Sequence, residues 1–331
     1  AYVNPETDAA HCCGHHAQMA GIFGAALALT VPEIAEKLGG QVVFFATPAE
    51  EYGEIEFKNQ LREQGKIRYG GGKCELIRTG AFDDIDLCLA HHIQPGDEIQ
   101  VGSGTGNGFV SKVIRYLGKA AHAAGAPDKG VNALSAASLG LQALGLNRET
   151  FRDEDCVRIH PIITKGGNLV NVIPDEIVIE TLVRAKTIEA FTDAAKKTDR
   201  SFQAGAVAMG AKVEITTLPG YLPTLAEQAL PELKRAAELA APEVPVREAA
   251  GHSGGSTDVG DVQHLMPVYT FNTGGVKGGL HQINFEVTNE EEAYIDTAKM
   301  FALAAYGLLK EKAARSKELV KNYKPVFKDS A

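Results

Sequence analysis

The pattern of apolar and polar positions predicts an α/β unit in the first third of the chain. Residues 15–29 are rich in Ala and other small apolar residues, which is typical of a closely packed helix. Residues 41–47 and 85–90 are short, continuously apolar runs, typical of strands buried on both faces. Strands of this kind separated by helical stretches predict a parallel sheet covered by helices.

A second pattern begins near residue 108, where apolar and polar positions alternate as in a half-exposed strand. The pattern predicts strands at 108–117, 157–164, 176–184 and 212–218, and helices at 132–144 and 187–209. This β-α-β-β-α-β order is typical of a ferredoxin-like α+β unit. A helix at 225–239, a buried strand at 268–272 and a helix at 290–312 then resume the first unit.

These elements predict an α/β protein of two domains. Residues 1–108 and 219–331 form a catalytic α/β sheet domain, and residues 109–218 form an inserted ferredoxin-like domain. A chain of 331 residues is long enough for two compact units.

Composition narrows the range of partners and compartments. The net charge of −9 and the lack of a basic run disfavour nucleic acid and anionic membranes as partners. The chain shows neither a transmembrane-length apolar stretch nor a signal-peptide pattern. Five cysteines, an odd number spread over the chain, do not suggest a disulfide framework. We therefore expect a cytoplasmic protein.

Two clusters combine residue types that bind metals. Cys13 and His15 flank Gly14 just before the first helix, and thiolate and imidazole both bind zinc-class ions. The alternative is a buried cysteine and a histidine that begins a helix. Glu50 and Glu51 follow the run 41–47, at the strand end where open α/β proteins place their sites. The alternative is a solvated helix N-terminus, where carboxylates are favourable.

Two further clusters contain histidine. His91 and His92 follow the run 85–90, and His281 lies in a Gly-rich loop. A core histidine bonded to the backbone and an ordinary loop residue are the respective alternatives. Together, the four clusters form a ligand set for two metals, a combination that arises by chance far less often than any one cluster.

The order of motifs resembles the M20 metallopeptidase family. The motifs are CGH, PAEE, a strand-end His92 before Pro95-Gly96, GKAAH, GGNLVNVIPDE, GSTDVGDV and GGLHQINF. The resemblance covers residues 11 to about 310 and is closest to the amidohydrolase branch of aminoacylases, aminobenzoyl-glutamate hydrolases and related dipeptidases. It implies that the inserted domain is a lid and dimerisation domain.

The resemblance also implies a role for each matching residue. The metal ligands are Cys13, His15, Glu51, His92 and His281, and the general base is Glu50. His122 polarises the scissile carbonyl in the partner subunit's site, while Asn171, Arg184 and Asp258 lie near the substrate. By their residue types alone, His122 suits a turn at a strand end, Asn171 a turn, Arg184 a surface ion pair, and Asp258 a helix N-cap.

The implied function is metal-dependent hydrolysis of an amide in an N-acyl amino acid, an aminobenzoyl-glutamate-like compound or a dipeptide. Two divalent ions (Zn, Mn, Co or Ni) activate water, Glu50 is the general base, and the protein is a homodimer. Family members carry a longer segment before the CGH motif than this chain, and His16 replaces their usual Asp or Asn. Two alternatives are a zinc hydrolase of esters or nucleosides and a truncated or degenerate homologue that binds metal or ligand without turnover.

Overall fold

The computed structural model describes residues 3–6 and 9–327. Its helices are α1 (His15–Leu29), α2 (Pro32–Ala35), α3 (Ile55–Glu63), α4 (Gly72–Arg78), α5 (Ala133–Leu146), α6 (Ile188–Met209), α7 (Pro231–Ala240), α8 (Val259–Gln263) and α9 (Thr297–Asn322). A π-helical turn, Glu291–Asp296, precedes α9, and the backbone of α9 leaves helical geometry from Lys310 to Ala313.

The strands are β1 (Val3–Asn4), β2 (Ala9–Ala10), β3 (Cys88–Ile93), β4 (Ile99–Val101), β5 (Thr105–Gly106), β6 (Gly108–Leu117), β7 (Arg158–Ile159), β8 (Ile162–Lys165), β9 (Glu176–Ala185), β10 (Lys212–Pro219), β11 (Val246–Glu248), β12 (His252–Ser253), β13 (Val268–Thr273), β14 (Val276–Lys277) and β15 (Glu286–Val287). The helix predicted at 15–29 and the strand predicted at 108–117 have the bounds that the sequence indicated.

The first unit has a four-stranded sheet in the order β11-β4-β13-β3. The prediction of a wholly parallel sheet is wrong, because β13 runs parallel to β3 but antiparallel to β4. Only residues 94–98 connect β3 to β4, and a parallel crossover needs a dozen residues or more. Helices α1, α7 and α9 cover this sheet, and Phe271, Met300 and Phe301 lie in the core between them.

The strand predicted at 41–47 is also absent from the structure. The segment has no ladder partner in the described residues, and Val43 and Phe44 are exposed. Phe45 does pack against Phe82, with ring centroids 4.7 Å apart. An apolar run becomes a strand only when a neighbouring strand satisfies its backbone groups, and no described strand lies beside this one.

The second unit is an antiparallel sheet in the order β10-β6-β9-β7, with β8 also paired to β9. Helices α5 and α6 pack together on one face, where Tyr116, Ile179 and Phe202 are fully buried. Asn132 caps α5 and Thr187 caps α6 through their side chains. The prediction of an α/β protein with an inserted ferredoxin-like unit is therefore confirmed. Among the described residues, no helix has the length and apolar character to cross a membrane.

Candidate metal centre

Cys13 and His15 are positioned by the backbone of Gly14 at the start of α1. Gly14 has a φ of 79°, in the left-handed region that side chains disfavour. A Cβ at this position would lie 2.0 Å from Cγ2 of Ile93, on the neighbouring strand β3. The glycine therefore lets the two side chains turn toward the end of β3.

Glu50 and Glu51 project from a loop with a tight backbone bend. Ala49 has a φ of 53°, and its carbonyl accepts a hydrogen bond from the amide of Gly72 at 3.1 Å. The hydroxyl of Thr257 donates to Oε1 of Glu50 at 2.8 Å. The Tyr221 hydroxyl donates to the backbone carbonyl of Glu50 at 2.5 Å. Glu50 is thus held by its side chain and by its main chain.

The two adjacent histidines of β3 have different surroundings. His92 bonds the carbonyl of Ile93 through Nδ1 at 2.6 Å, and its Nε2 lies 3.3 Å from Sγ of Cys13. Because Nδ1 donates, Nε2 keeps a lone pair, and burial lowers the pKa of His92. His91 points into the core, where Nε2 lies 2.8 Å from the Thr273 hydroxyl and burial lowers its pKa to about 3. Only His92 faces the cluster.

His281 reaches the cluster from the Gly-rich loop before β15. Its φ is 61°, and its amide donates to the carbonyl of Cys12 at 2.8 Å. Its Nε2 lies 3.4 Å from Oε1 of Glu51. The loop is thereby tied to the segment that carries Cys13.

The donor atoms of six residues meet at one place. Three overlapping groups have atoms within 4.8 Å of one another: Cys13, His15 and His92; Cys13, Glu51 and His281; and His15, Glu50 and Glu51. The set combines sulfur, imidazole nitrogen and carboxylate oxygen, which suits Zn, Mn, Co or Ni.

The electrostatics of the cluster also fit a cation. Nε2 of His15 is buried without a hydrogen-bond partner, 3.7 Å from Glu50 Oε2 and 3.9 Å from Glu51 Oε1. Burial, followed by the charges of Glu51 and Glu50, raises the pKa of the Cys13 thiol to about 12. A divalent ion would offset the negative charge of Glu50 and Glu51, and it would be bound by the lone pairs of the Cys13 sulfur and the His15 nitrogen.

The cluster lies in a cleft of about 520 Å³ that the inserted unit helps to line. Arg184 of β9 lies over the ring of Phe109, 5.3 Å from its centroid, and donates from Nη1 to the Ser256 hydroxyl at 2.9 Å. Burial lowers the pKa of Arg184, yet a guanidinium stays charged at neutral pH. The cleft therefore places a fixed cation opposite the cluster of potential metal ligands.

His122 and Asn171 lie together elsewhere on the inserted unit, and neither lines this cleft. His122 forms a β-bridge with Val172, and the carbonyl of Asn171 accepts the amide of Ala123 at 3.0 Å. Nδ1 of His122 accepts the amides of Ala124 at 3.3 Å and Gly125 at 3.0 Å. The proton of the neutral ring is therefore on Nε2, which makes it a hydrogen-bond donor.

Asp258 is fully buried and does not line the cleft. Its carboxylate accepts Lys73 Nζ at 2.6 Å and the Lys73 amide at 2.9 Å. The side chain makes no cap to its own helix, α8. It instead fastens the start of α4 to the loop that carries Thr257.

Sequence reasoning missed three aromatic residues of the cleft: Tyr52, Phe109 and Tyr221. Their ring centroids lie 4.8 to 5.6 Å apart. Two signals were available in the sequence: Tyr52 directly follows Glu51, and Tyr221 lies between Pro219 and Pro223, just after the inserted unit.

Comparison with known proteins shows which family and which fold the chain resembles. The model of peptidase family M20/M25/M40 matches residues 3–306. The chain is 27% identical to the Xaa-Arg dipeptidase of Mus musculus over 327 residues, which are 96% of this chain and 68% of that protein.

Two more similarities point the same way. The chain is 29% identical to a p-aminobenzoyl-glutamate hydrolase polypeptide from Escherichia coli K12 over 176 residues, 53% of this chain and 32% of that protein. A dinuclear metal-binding peptidase of the M20 family from Bacillus subtilis shares the fold, with a TM-score of 0.59 and 23% identity over 90% of this chain and 73% of that one.

Proposed function

The chain belongs to peptidase family M20/M25/M40 and is a hydrolase of amide bonds, and on that premise we propose that it cleaves small amides with the help of two divalent metal ions. The proposed substrates are N-acyl amino acids, aminobenzoyl-glutamate-like amides and dipeptides. The observation that carries the proposal is the meeting of six donor residues, Glu50 among them, in three overlapping groups.

We assign the ligands as Cys13, His15, Glu51, His92 and His281. Bound divalent ions, Zn, Mn, Co or Ni, would polarise the carbonyl and lower the pKa of water. Glu50 is the general base. Its Oε1 accepts the Thr257 hydroxyl, so Oε2 takes the proton from the attacking water and delivers it to the leaving nitrogen.

Arg184 is assigned to the substrate carboxylate. A guanidinium presents paired donors that match a carboxylate, and this one is already oriented by Phe109 and Ser256. Asp258, expected near the substrate, is assigned a positioning role because its carboxylate is engaged with Lys73.

His122 and Asn171 are assigned to the cleft of a partner subunit. The Nε2–H of His122 suits an oxyanion, and the histidine does not line the cleft of its own chain. Residues 109–218 would then act as the lid and dimerisation domain. Ile162 and Ile163 are exposed on β8, which pairs with β9, and they provide apolar side chains for the contact between subunits.

Metal loading followed by an amidase panel tests the proposal. The chain is stripped with a chelator, reloaded separately with Zn, Mn, Co or Ni, and offered N-acetyl amino acids, aminobenzoyl-glutamate and dipeptides ending in Arg. Matched esters and a nucleoside serve as controls. We expect amine release with at least one metal. Stoichiometric metal binding without any amide cleavage would favour a homologue that binds without turnover.

A further inference from the structure

A second cavity, of about 580 Å³, lies on the other side of the cleft wall. Phe109 and Tyr221 line both spaces and so form the wall between them. Helix α4, the exit from β10 and the tail residue Phe327 enclose the rest of the second cavity. None of the residues assigned to metal, base or substrate lines it.

The lining of this back cavity is aromatic and apolar. Tyr69, Phe191 and Phe327 join Phe109 and Tyr221 around it. Aromatic rings attract a further flat ring at centroid distances of about 4.5–7 Å. Such a lining favours a planar aromatic guest over a flexible polar one.

One end of the back cavity is cationic. Arg78, the last residue of α4, lines both the back cavity and an adjoining space of about 500 Å³ that also contains Arg62 and Arg68. In the described part of the chain, neither Arg62 nor Arg68 forms an ion pair with a carboxylate, and Nε of Arg62 donates to the backbone carbonyl of Arg68 at 3.0 Å. Arg78 binds Glu75 through Nε and Nη2. The three guanidinium groups outnumber the two carboxylates beside them, Glu63 and Glu75, so this end has an excess of positive charge that favours an anion.

One carboxyl group also lines the back cavity, about one helical turn from Arg78. Cys74 and Arg78 stand four residues apart on α4, which separates their backbones by about 6 Å along the helix. The Asp261 carboxylate lies beside Cys74, where it accepts the amide of Leu222 at 3.3 Å. Burial raises the pKa of Asp261 to about 7, so the carboxyl is only partly charged at neutral pH, and Arg78 is the stronger electrostatic partner for a negatively charged guest.

We propose that the back cavity binds a small aromatic molecule that carries one anionic group. The ring lies among the aromatic side chains, and the anionic group lies at Arg78. The guest is distinct from the amide substrate, because it occupies the side of Phe109 and Tyr221 away from the metal ligands.

Tyr221 connects the back cavity to the loop that carries the proposed base. Tyr221 contacts the guest on one side and donates to the Glu50 carbonyl on the other. Helix α4 also begins at Gly72, whose amide holds the carbonyl of Ala49. Because the guest lies outside the front cleft, it should not compete with the substrate for binding.

Titration of the full chain with naphthalene-2-sulfonate, followed by calorimetry, tests the site. We expect saturable binding, weakened about tenfold by Arg78→Gln because a charge-assisted hydrogen bond is lost. The neutral naphthalene-2-sulfonamide should bind wild type more weakly than the sulfonate and should be insensitive to Arg78→Gln. Arg247→Gln is the matched control, since Arg247 pairs with Glu98 at 2.7 Å far from the cavity lining.

The same titration has outcomes that overturn the proposal. The first is the absence of binding at millimolar probe, and the second is equal affinity in wild type and Arg78→Gln. The third is a loss of affinity caused by Arg184→Gln alone, which would locate the probe in the front cleft. Thermal unfolding of every variant accompanies the titration. If Arg78→Gln does not fold, Arg78→Lys replaces it; it keeps the charge but loses the paired donors of the guanidinium, so the sulfonate should bind more weakly than to wild type.

Discussion

The hydroxyl of Thr257 donates to Oε1 of Glu50 at 2.8 Å, across 207 residues of sequence. This bond joins the loop after residues 41–47 to the loop before α8. A glutamine at position 50 would keep an oxygen for the same donor, so Glu50→Gln should change basicity while preserving geometry.

We expect Glu50→Gln to retain its metal and to lose turnover by a factor of about 10² to 10⁴, the usual contribution of a general base. Elemental analysis measures the metal, and the amidase assay measures kcat. Glu63→Gln, on the exposed part of α3, is the matched control. Substantial turnover by Glu50→Gln would remove its assignment as the base.

Mixing two inactive variants tests the assignment of His122. His122→Ala keeps Glu50, and Glu50→Gln keeps His122, so a mixed dimer has one complete site. Random exchange of subunits should restore about a quarter of the wild-type activity. Activity that stays at the level of the separate variants after exchange would contradict a shared site. A monomeric chain by light scattering would contradict it as well.

Arg184→Gln should raise KM about tenfold or more for carboxylate-bearing substrates, because one charged contact to the substrate is lost. It should have little effect on an amide whose carboxylate is blocked. Arg158→Gln is a suitable control, since Arg158 lies opposite Arg184 in the strand register and is exposed. An equal loss on blocked and free substrates would argue for a structural role.

Metal removal should lower the unfolding temperature, because ions that bind only the folded chain stabilise it by mass action. Reloading should raise the temperature again, and less so in His281→Asn, which lacks one proposed ligand. Calorimetric scans with and without chelator measure the shift. A shift of equal size in His281→Asn and wild type would exclude His281 from the ligand set.

Glu227 should make stability depend on pH. Burial raises its pKa from the ordinary 4.5 to about 8, and its Oε2 is buried without a hydrogen-bond partner. The folded chain therefore holds a proton that the unfolded chain releases, so the free energy of unfolding falls as pH rises from about 4.5 to 8. In Glu227→Gln this fall should be smaller, as urea titrations at several pH values would show. Parallel profiles for variant and wild type would contradict the prediction.

The sequence predicted elements best where local and tertiary preferences agree. Helix α1 begins and ends as expected, because its small residues suit both a helix and close packing against α9. The helix expected at 225–239 begins only at Pro231, whose fixed φ suits the first helical turn. Instead, residue 224 forms a β-bridge with residue 106, and residue 227 forms one with residue 103. These tertiary contacts cannot be predicted from the local sequence pattern.

Some residues of the candidate site could be identified from the sequence and others could not. Cys13, His15 and Glu51 could be named from their motifs, since the residue types themselves suit a metal. The pairing of Asp258 with Lys73 could not, because 185 residues separate them and both also suit a solvated surface. Tyr221 was missed for a related reason: its role depends on one hydroxyl meeting one backbone carbonyl.

Gly14 limits which variants of the chain can exist. Its missing side chain leaves the space that Cγ2 of Ile93 fills, and its backbone occupies a region that L-residues avoid. Every codon change that replaces this glycine adds a Cβ and meets both obstacles at once. The candidate metal centre therefore depends on Gly14, which offers no ligand atom, as strictly as it depends on the proposed ligands.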